Sequence, residues 1–354
     1  SYHLQEAGAT PVQEIAYSLS TAIAVLDAVR DSGQVPPAEF GAVVERMSFF
    51  VNAGVRFVEE MCKMRAFVEL WEEITRDRYG VVDERQRRFR YGVQVNSLGL
   101  SETQPENNVQ RIVLELLAVT LSKDARARAI QLPAWNEALG LPRPWDQQWS
   151  LRIQQVLAYE TDLLEYDDIF TGSTVVEAEV ARMVDQARTE MAIVEDMGGA
   201  VAAVDNGYMK GQMVASHSQR RADIESGDHV IVGVNKFTTT EPNPLLADID
   251  TAIQSVAPEV EAAATASLMD WRMSRDDDAV TAALVELSRA ADGQENLMVP
   301  TLQCARVGVT TGEWSSALRA VFGEYRAPTG LSGVVGVQSG SSDLTQVREL
   351  VQAT

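Results

Sequence analysis

The sequence predicts an α/β fold: the later strands and helices of a TIM-type barrel over residues 1–170, then a mostly helical region over 171–328. Two observations carry this. Up to about residue 170, short β-prone runs stand between helical segments; beyond it, the segments become long, Ala-rich and helical. With 354 residues, 45% of them hydrophobic and 23% charged, the chain has ample material for an ordinary globular core.

Taken in order, Tyr2-His3-Leu4 reads as a short strand and Gln5 to Ala9 as the turn out of it. The clearest helix is Val55 to Ile74. There Phe57, Met61, Met64, Val68 and Trp71 recur at steps of four and three, an apolar stripe, while Glu59, Glu60, Lys63, Glu69 and Glu72 lie off it. Cys62, beside the stripe, reads as a small buried residue. Phe89 to Val95 and Ala127 to Leu132 are β-prone, and between them a helix spans Asn108 to Leu121, with Pro105 and Asn107 suited to its entry. Val175 to Met197 forms a long helix closed by Gly198-Gly199, and Pro258 to Met273 another. Asp276-Asp277-Asp278 reads as capping charge for the helix that follows, in preference to a metal site. Residues 329–354 are Gly/Ser-rich and read as a linker.

Composition excludes several classes. The formal charge of −21 repels phosphate backbones and anionic lipid, which argues against nucleic-acid and membrane-surface partners. An anionic substrate would therefore need local basic groups. Uncharged stretches such as Ile15 to Leu26 fall short of the roughly 20 apolar residues that span a bilayer. Two cysteines, Cys62 and Cys304, make no disulfide framework and suit the cytoplasm. No P-loop, GxGxxG, HExxH or paired CxxC occurs, and His3, His217 and His229 lack metal-ligand spacing, so no metal site is expected. His217 reads as a solvated surface residue and His229 as a turn residue.

Six stretches, "YHLQEAGAT", "RMSFFVNAGVRFVEEMCKMRA", "QPENNVQR", "NEALGLP", "EDMGGAVAAV" and "VGVNKF", stand in an order and spacing that resembles the large subunit of the adenosylcobalamin-dependent acyl-CoA mutases. Within that family, "VQVNSLGLSETQPENN" and "LPAWNEALGLPRPWDQQWS" resemble the ethylmalonyl-CoA branch more than the methylmalonyl-CoA branch. The resemblance implies that residues 1–170 are the later half of the (β/α)8 substrate barrel. It places an N-terminal half-barrel before them and a cobalamin-binding domain after the linker. The Asp-x-His-x-x-Gly signature of that last domain does not occur in this sequence.

The implied activity is an isomerase reaction, a radical rearrangement of a short branched dicarboxylic acyl-CoA. Ethylmalonyl-CoA to methylsuccinyl-CoA is the first expectation and methylmalonyl-CoA the second; a non-catalytic scaffold or interaction fragment is the reading from another class. The implied partners are the acyl-CoA substrate and a second copy or a complementing mutase polypeptide, with adenosylcobalamin as the cofactor of the complete protein. By the resemblance, His3 donates to the thioester carbonyl and Tyr2 lies beside it at the substrate. Gln94 faces the adenosyl and substrate region, Glu137 the adenosyl ribose, and Arg46 and Ser48 the CoA tail. A guanidinium and a hydroxyl suit phosphate oxygens, a local answer to the acidic surface. Two departures mark the pocket: Gly92 stands where methylmalonyl-CoA mutases commonly have His, and Pro133 where they have Asn.

Overall fold

The computed structural model describes residues 1–241, 243, 253–293 and 295–324, so the expected linker over 329–354 lies outside the described residues. A first compact unit reaches to Gln254 and a second begins at Ser255.

The first unit is built on three parallel strands, β1 (Phe49–Ala53), β2 (Tyr91–Val95) and β3 (Ala129–Gln131), in the sheet order β1-β2-β3. In register, Phe50 faces Gly92 and Asn52 faces Gln94, while Gly92 and Gln94 face Ala129 and Gln131. The first crossover contains α4 (Phe57–Asp77) and α5 (Glu84–Arg87), and the second contains α6 (Asn108–Thr120). Ahead of β1 come α1 (Tyr2–Glu6), α2 (Pro11–Asp31) and α3 (Phe40–Arg46). After β3 follow α7 (Pro144–Tyr159), α8 (Thr174–Asp196), α9 (Ala200–Asp205) and α10 (Tyr208–Ser226).

The alternation of a strand separates the two faces of this sheet. Phe49, Val51, Ala53, Tyr91 and Val93 join α2, α4 and α8 in the main core, and Val95 packs with Ile112 and Leu116 of α6. Phe49, Phe67, Trp71, Phe89 and Tyr91 stack ring against ring there, with centroids 4.6 Å apart for Phe49 and Phe89 and 5.0 Å for Phe49 and Trp71. The other face carries Phe50, Asn52, Gly92, Gln94, Ala129 and Gln131, small or polar at every position but Phe50.

Local signals explain the helix starts. Thr10 Oγ1 accepts from Gln13 N at 3.2 Å and Gln13 Oε1 accepts from Thr10 N at 2.9 Å, a reciprocal cap before Pro11. At 21 residues, α2 has the length and hydropathy of a bilayer span, but Ile15, Leu19 and Leu26 are fully buried in the core and half of its apolar window is covered. The turn between α1 and α2 needs glycine: Gly8 has φ +104°, and a Cβ there would stand 2.5 Å from the Cβ of His217. His217 is thus exposed as expected, with its stem against Gly8.

Three expectations are corrected. The Tyr2-His3-Leu4 segment is helical in α1, with Ala7 N donating to His3 O at 2.8 Å. Helical spacing puts Tyr2, Gln5 and Glu6 on one side, where they reach β1, Glu60 and Ser97; a strand would split Gln5 and Glu6 between two faces. Glu60 and Lys63, assigned to the polar side of α4, are buried. Strand β1, in "FFVNA", was not among the anticipated β-prone runs, because Asn52 and Ala53 dilute its strand propensity.

The second unit holds α11 (Pro258–Ser274), α12 (Asp277–Asp292), α13 (Met298–Val307) and α14 (Thr311–Phe322), closed around Ala283, Leu287 and Cys304. Asp276 Oδ1 accepts from Ala279 N at 3.0 Å, the capping role expected of it.

Candidate functional site

Helix α1 lies along β1 and carries the first two candidates. The Tyr2 ring meets Phe50 edge-on at 5.2 Å and the His3 ring leans on Tyr2 at 4.1 Å. Tyr2 is half-buried and His3 exposed. Gly92, across from Phe50 in register, makes room for this layer: a Cβ there would stand 3.1 Å from the Phe50 ring. A side chain at this position would crowd the Phe50 ring, so the Gly92 departure changes what fills this layer.

One step along the strands, Asn52 and Gln94 form the next layer, both buried. Asn52 Nδ2 donates to Glu6 Oε1 at 3.1 Å, and the same oxygen accepts from Ser97 N at 3.3 Å. Ser97 also lies beside Glu137, which opens the 3-10 turn Glu137–Leu139 beyond β3, closely enough to lower its carboxyl. Burial raises the Glu137 carboxyl above its ordinary value; the Ser97 hydroxyl and the Ala134 amide partly offset this, and the charge of Glu6 adds to the rise. A half-buried carboxyl beside a hydroxyl and a buried amide suits the hydroxyls of a ribose.

The two loops that carry Ser97 and Glu137 are pinned by residues the sequence reading did not single out. Asn108 Nδ2 donates to Ser101 O and Trp135 O, each at 2.9 Å. Buried Asp146 accepts from Trp135 Nε1 at 3.2 Å, Asn136 Nδ2 at 3.0 Å and Arg143 Nε at 2.9 Å. Burial alone would raise the Asp146 carboxyl; Arg143 and Asn136 hold it below the usual range. The second Asn of "QPENN" and the Asp of "RPWD" were the available signals, but both residue types are also common helix-entry residues.

Arg46 and Ser48 lie at the opposite end. They precede Phe49, the N-terminal residue of β1, and both are exposed. Other arginines gather at that end of the sheet. Phe49 N donates to Arg90 O at 2.9 Å and Arg128 N to Tyr91 O at 2.8 Å, so the segments before all three strands lie side by side there. Arg90 pairs with Glu45 at 3.0 Å. Arg46, Arg88, Arg126 and Arg128 are exposed and make no ion pair among the described residues. The alternating Arg-x-Arg of "DARARAI" was the signal for two of them.

The structure thus brings Tyr2 to His3 directly, ties α1 to the Ser97 loop through Glu6 with Glu137 nearby, and sets Gln94 in the layer beside Asn52. Among the described residues, no hydrogen bond or ring contact joins His3 to Gln94 or Glu137. A groove of about 420 Å³ between α6 and α7, lined by Val113, Leu116, Trp149 and Ile153, contains none of the candidates.

Residues 1–324 match the family model for methylmalonyl-CoA mutase. An ethylmalonyl-CoA mutase of Methylorubrum extorquens is 60% identical over 343 residues, covering 97% of this chain and 50% of that protein. One of Cereibacter sphaeroides is 59% identical over 353 residues, covering 100% and 53%. A methylmalonyl-CoA mutase of Escherichia coli is 32% identical over 329 residues, covering 93% and 44%. The chain spans about half the length of the curated relatives it matches.

Proposed function

The chain belongs to the methylmalonyl-CoA mutase family, and from that membership we propose that the whole protein isomerises ethylmalonyl-CoA to methylsuccinyl-CoA with adenosylcobalamin. The observation that carries this reading is the separation of chemistry along the strands. At the N-terminal end of the sheet, exposed arginines without acidic partners among the described residues stand on a chain of net charge −21, a place for an anionic CoA tail. At the other end Gln94, Glu6 and Glu137 offer the acceptors and amide that an adenosyl ribose needs, so the residues present fit that group. When bound, the cofactor supplies the hydrogen-abstracting radical that starts the rearrangement.

This chain's own residues bind, orient and exclude water. Arg46 and Ser48 hold the CoA tail, and Tyr2 and His3 meet the acyl end over the Phe50 and Gly92 layer. In this reading the His3 imidazole N–H donates to the thioester oxygen as charge gathers there. The sequential parallel sheet is likewise read as an arc of a (β/α)8 barrel formed by residues 1–170, followed by a mostly helical region over 171–328. The preference for ethylmalonyl-CoA over methylmalonyl-CoA rests on the closer likeness to the relatives of that name and on Gly92 and Pro133. The protein acts in the cytoplasm as a homodimer or with a complementing polypeptide.

The test is turnover of both acyl-CoA substrates by the whole protein with adenosylcobalamin. Faster conversion of ethylmalonyl-CoA supports the reading; preference for methylmalonyl-CoA replaces the substrate, and no mutase activity on either supports a scaffold.

A further inference from the structure

Lys63 has no exposed side-chain surface, yet its ammonium is fully occupied. Nζ donates to Glu14 Oε2 of α2 at 2.6 Å, to Asn52 O of β1 at 2.7 Å and to Gln5 Oε1 of α1 at 2.9 Å, and Glu60 Oε2 of α4 lies 2.5 Å away. Burial alone would push the ammonium toward neutrality; Glu14 and Glu60 more than offset this. One buried charge thus ties four elements together.

Its contact with α1 has a particular form. The Gln5 amide is read from both sides, its oxygen by Lys63 and its Nε2 by Glu60 Oε1 at 2.8 Å, so the amide has one orientation. Glu14 Oε1 also accepts from Asn52 N at 2.9 Å, so the same cluster grips both backbone groups of the β1 residue opposite Gln94. A five-residue helix with no fully buried side chain has little stability of its own. What holds α1 at one height on β1 is this clamp, with the Glu6 contacts to Asn52 and Ser97 and the Tyr2 contact to Phe50.

We propose that Lys63 is a positioning residue: through the Gln5 amide, its buried ammonium sets the height of α1 on β1 and so the placement of Tyr2 and His3. Positioning for turnover rests on the mutase reading; the placement of α1 does not. A thioester donor displaced by an ångström loses much of its effect on the migration step while the CoA tail, held at the other end of the strands, binds as before.

The experiment compares Gln5→Met and Lys63→Met with wild type in the whole protein. Gln5→Met removes the link at a half-buried position and leaves the ion cluster in place, so it tests the idea even where Lys63→Met fails to fold. Two readouts are taken: steady-state turnover with adenosylcobalamin, and hydrogen exchange of the amides of residues 3–9 against those of α6. For Gln5→Met we expect kcat to fall about tenfold with the acyl-CoA KM within about twofold, and exchange to rise at least about tenfold in α1 and not in α6. Unchanged exchange in α1 overturns the proposal, as does unchanged kcat or a raised KM with kcat intact. Absence of mutase activity in the wild type removes the mutase reading, and exchange then decides the placement of α1 by itself.

Discussion

Glu115 is fully buried, and neither of its carboxyl oxygens has a hydrogen-bond partner among the described residues. Burial raises its carboxyl well above the ordinary value, Glu60 and Glu6 add to the rise, and Arg111 only partly opposes it. Because the folded state holds this proton more tightly than the unfolded chain, the contribution is complete below the unfolded carboxylate range and is lost as pH rises through the folded value. Glu115→Gln keeps the shape and removes the ionisation. Its melting temperature should gain on wild type as pH rises from about 4 to 8; a gap that is flat or shrinks with pH refutes this. At the candidate site, His3→Ala in the whole protein should lower turnover by about 10²-fold or more with cobalamin affinity unchanged, the signature of a donor used mainly in the transition state. Equal turnover removes His3 from the site. His3 and Tyr2 stood out only through the family resemblance, since a single exposed histidine with a ring neighbour has no periodicity to mark it.

At the scale of the element, α4 shows what patterning can and cannot disclose. Its Met61, Met64 and Trp71 are buried where the helical period places them, because any amphipathic helix turns its apolar stripe inward. Glu60 and Lys63 are buried as well, since this helix is covered on a second side by α1, α2 and β1, and a charged residue can enter a core when its partners arrive with it. Helix α1 failed as a strand for a similar reason: the partners that select its helical form are 46 and 55 residues distant, at Asn52 and Glu60. The arginines before the three strands are the CoA-tail site of the proposed function, and a pair of substitutions tests them. Arg46→Ala combined with Arg128→Ala should raise the KM for acyl-CoA several-fold, leave kcat within about twofold and weaken the dependence of KM on salt. Unchanged KM and salt dependence would show that the CoA tail binds elsewhere.

At the scale of the whole molecule, the sequence by itself determined the family, the parallel α/β character of the first part, the helical character of the rest and the positions of α4, α6, α8, α11 and α12, because caps, stripes and motif blocks are local properties of the chain. It also disclosed that a chain of charge −21 must gather basic groups to hold an anion, though not where. Only the tertiary structure decided that arginines from three separate segments share one end of a sheet and that Glu6, Ser97 and Glu137 meet near the other. It likewise decided that Lys63 is a buried tie and not a surface charge. The physical reason is common to these cases: hydrogen bonding and desolvation depend on groups far apart in sequence that strand register and helix packing bring within about 3 Å, and no window along the chain contains both partners.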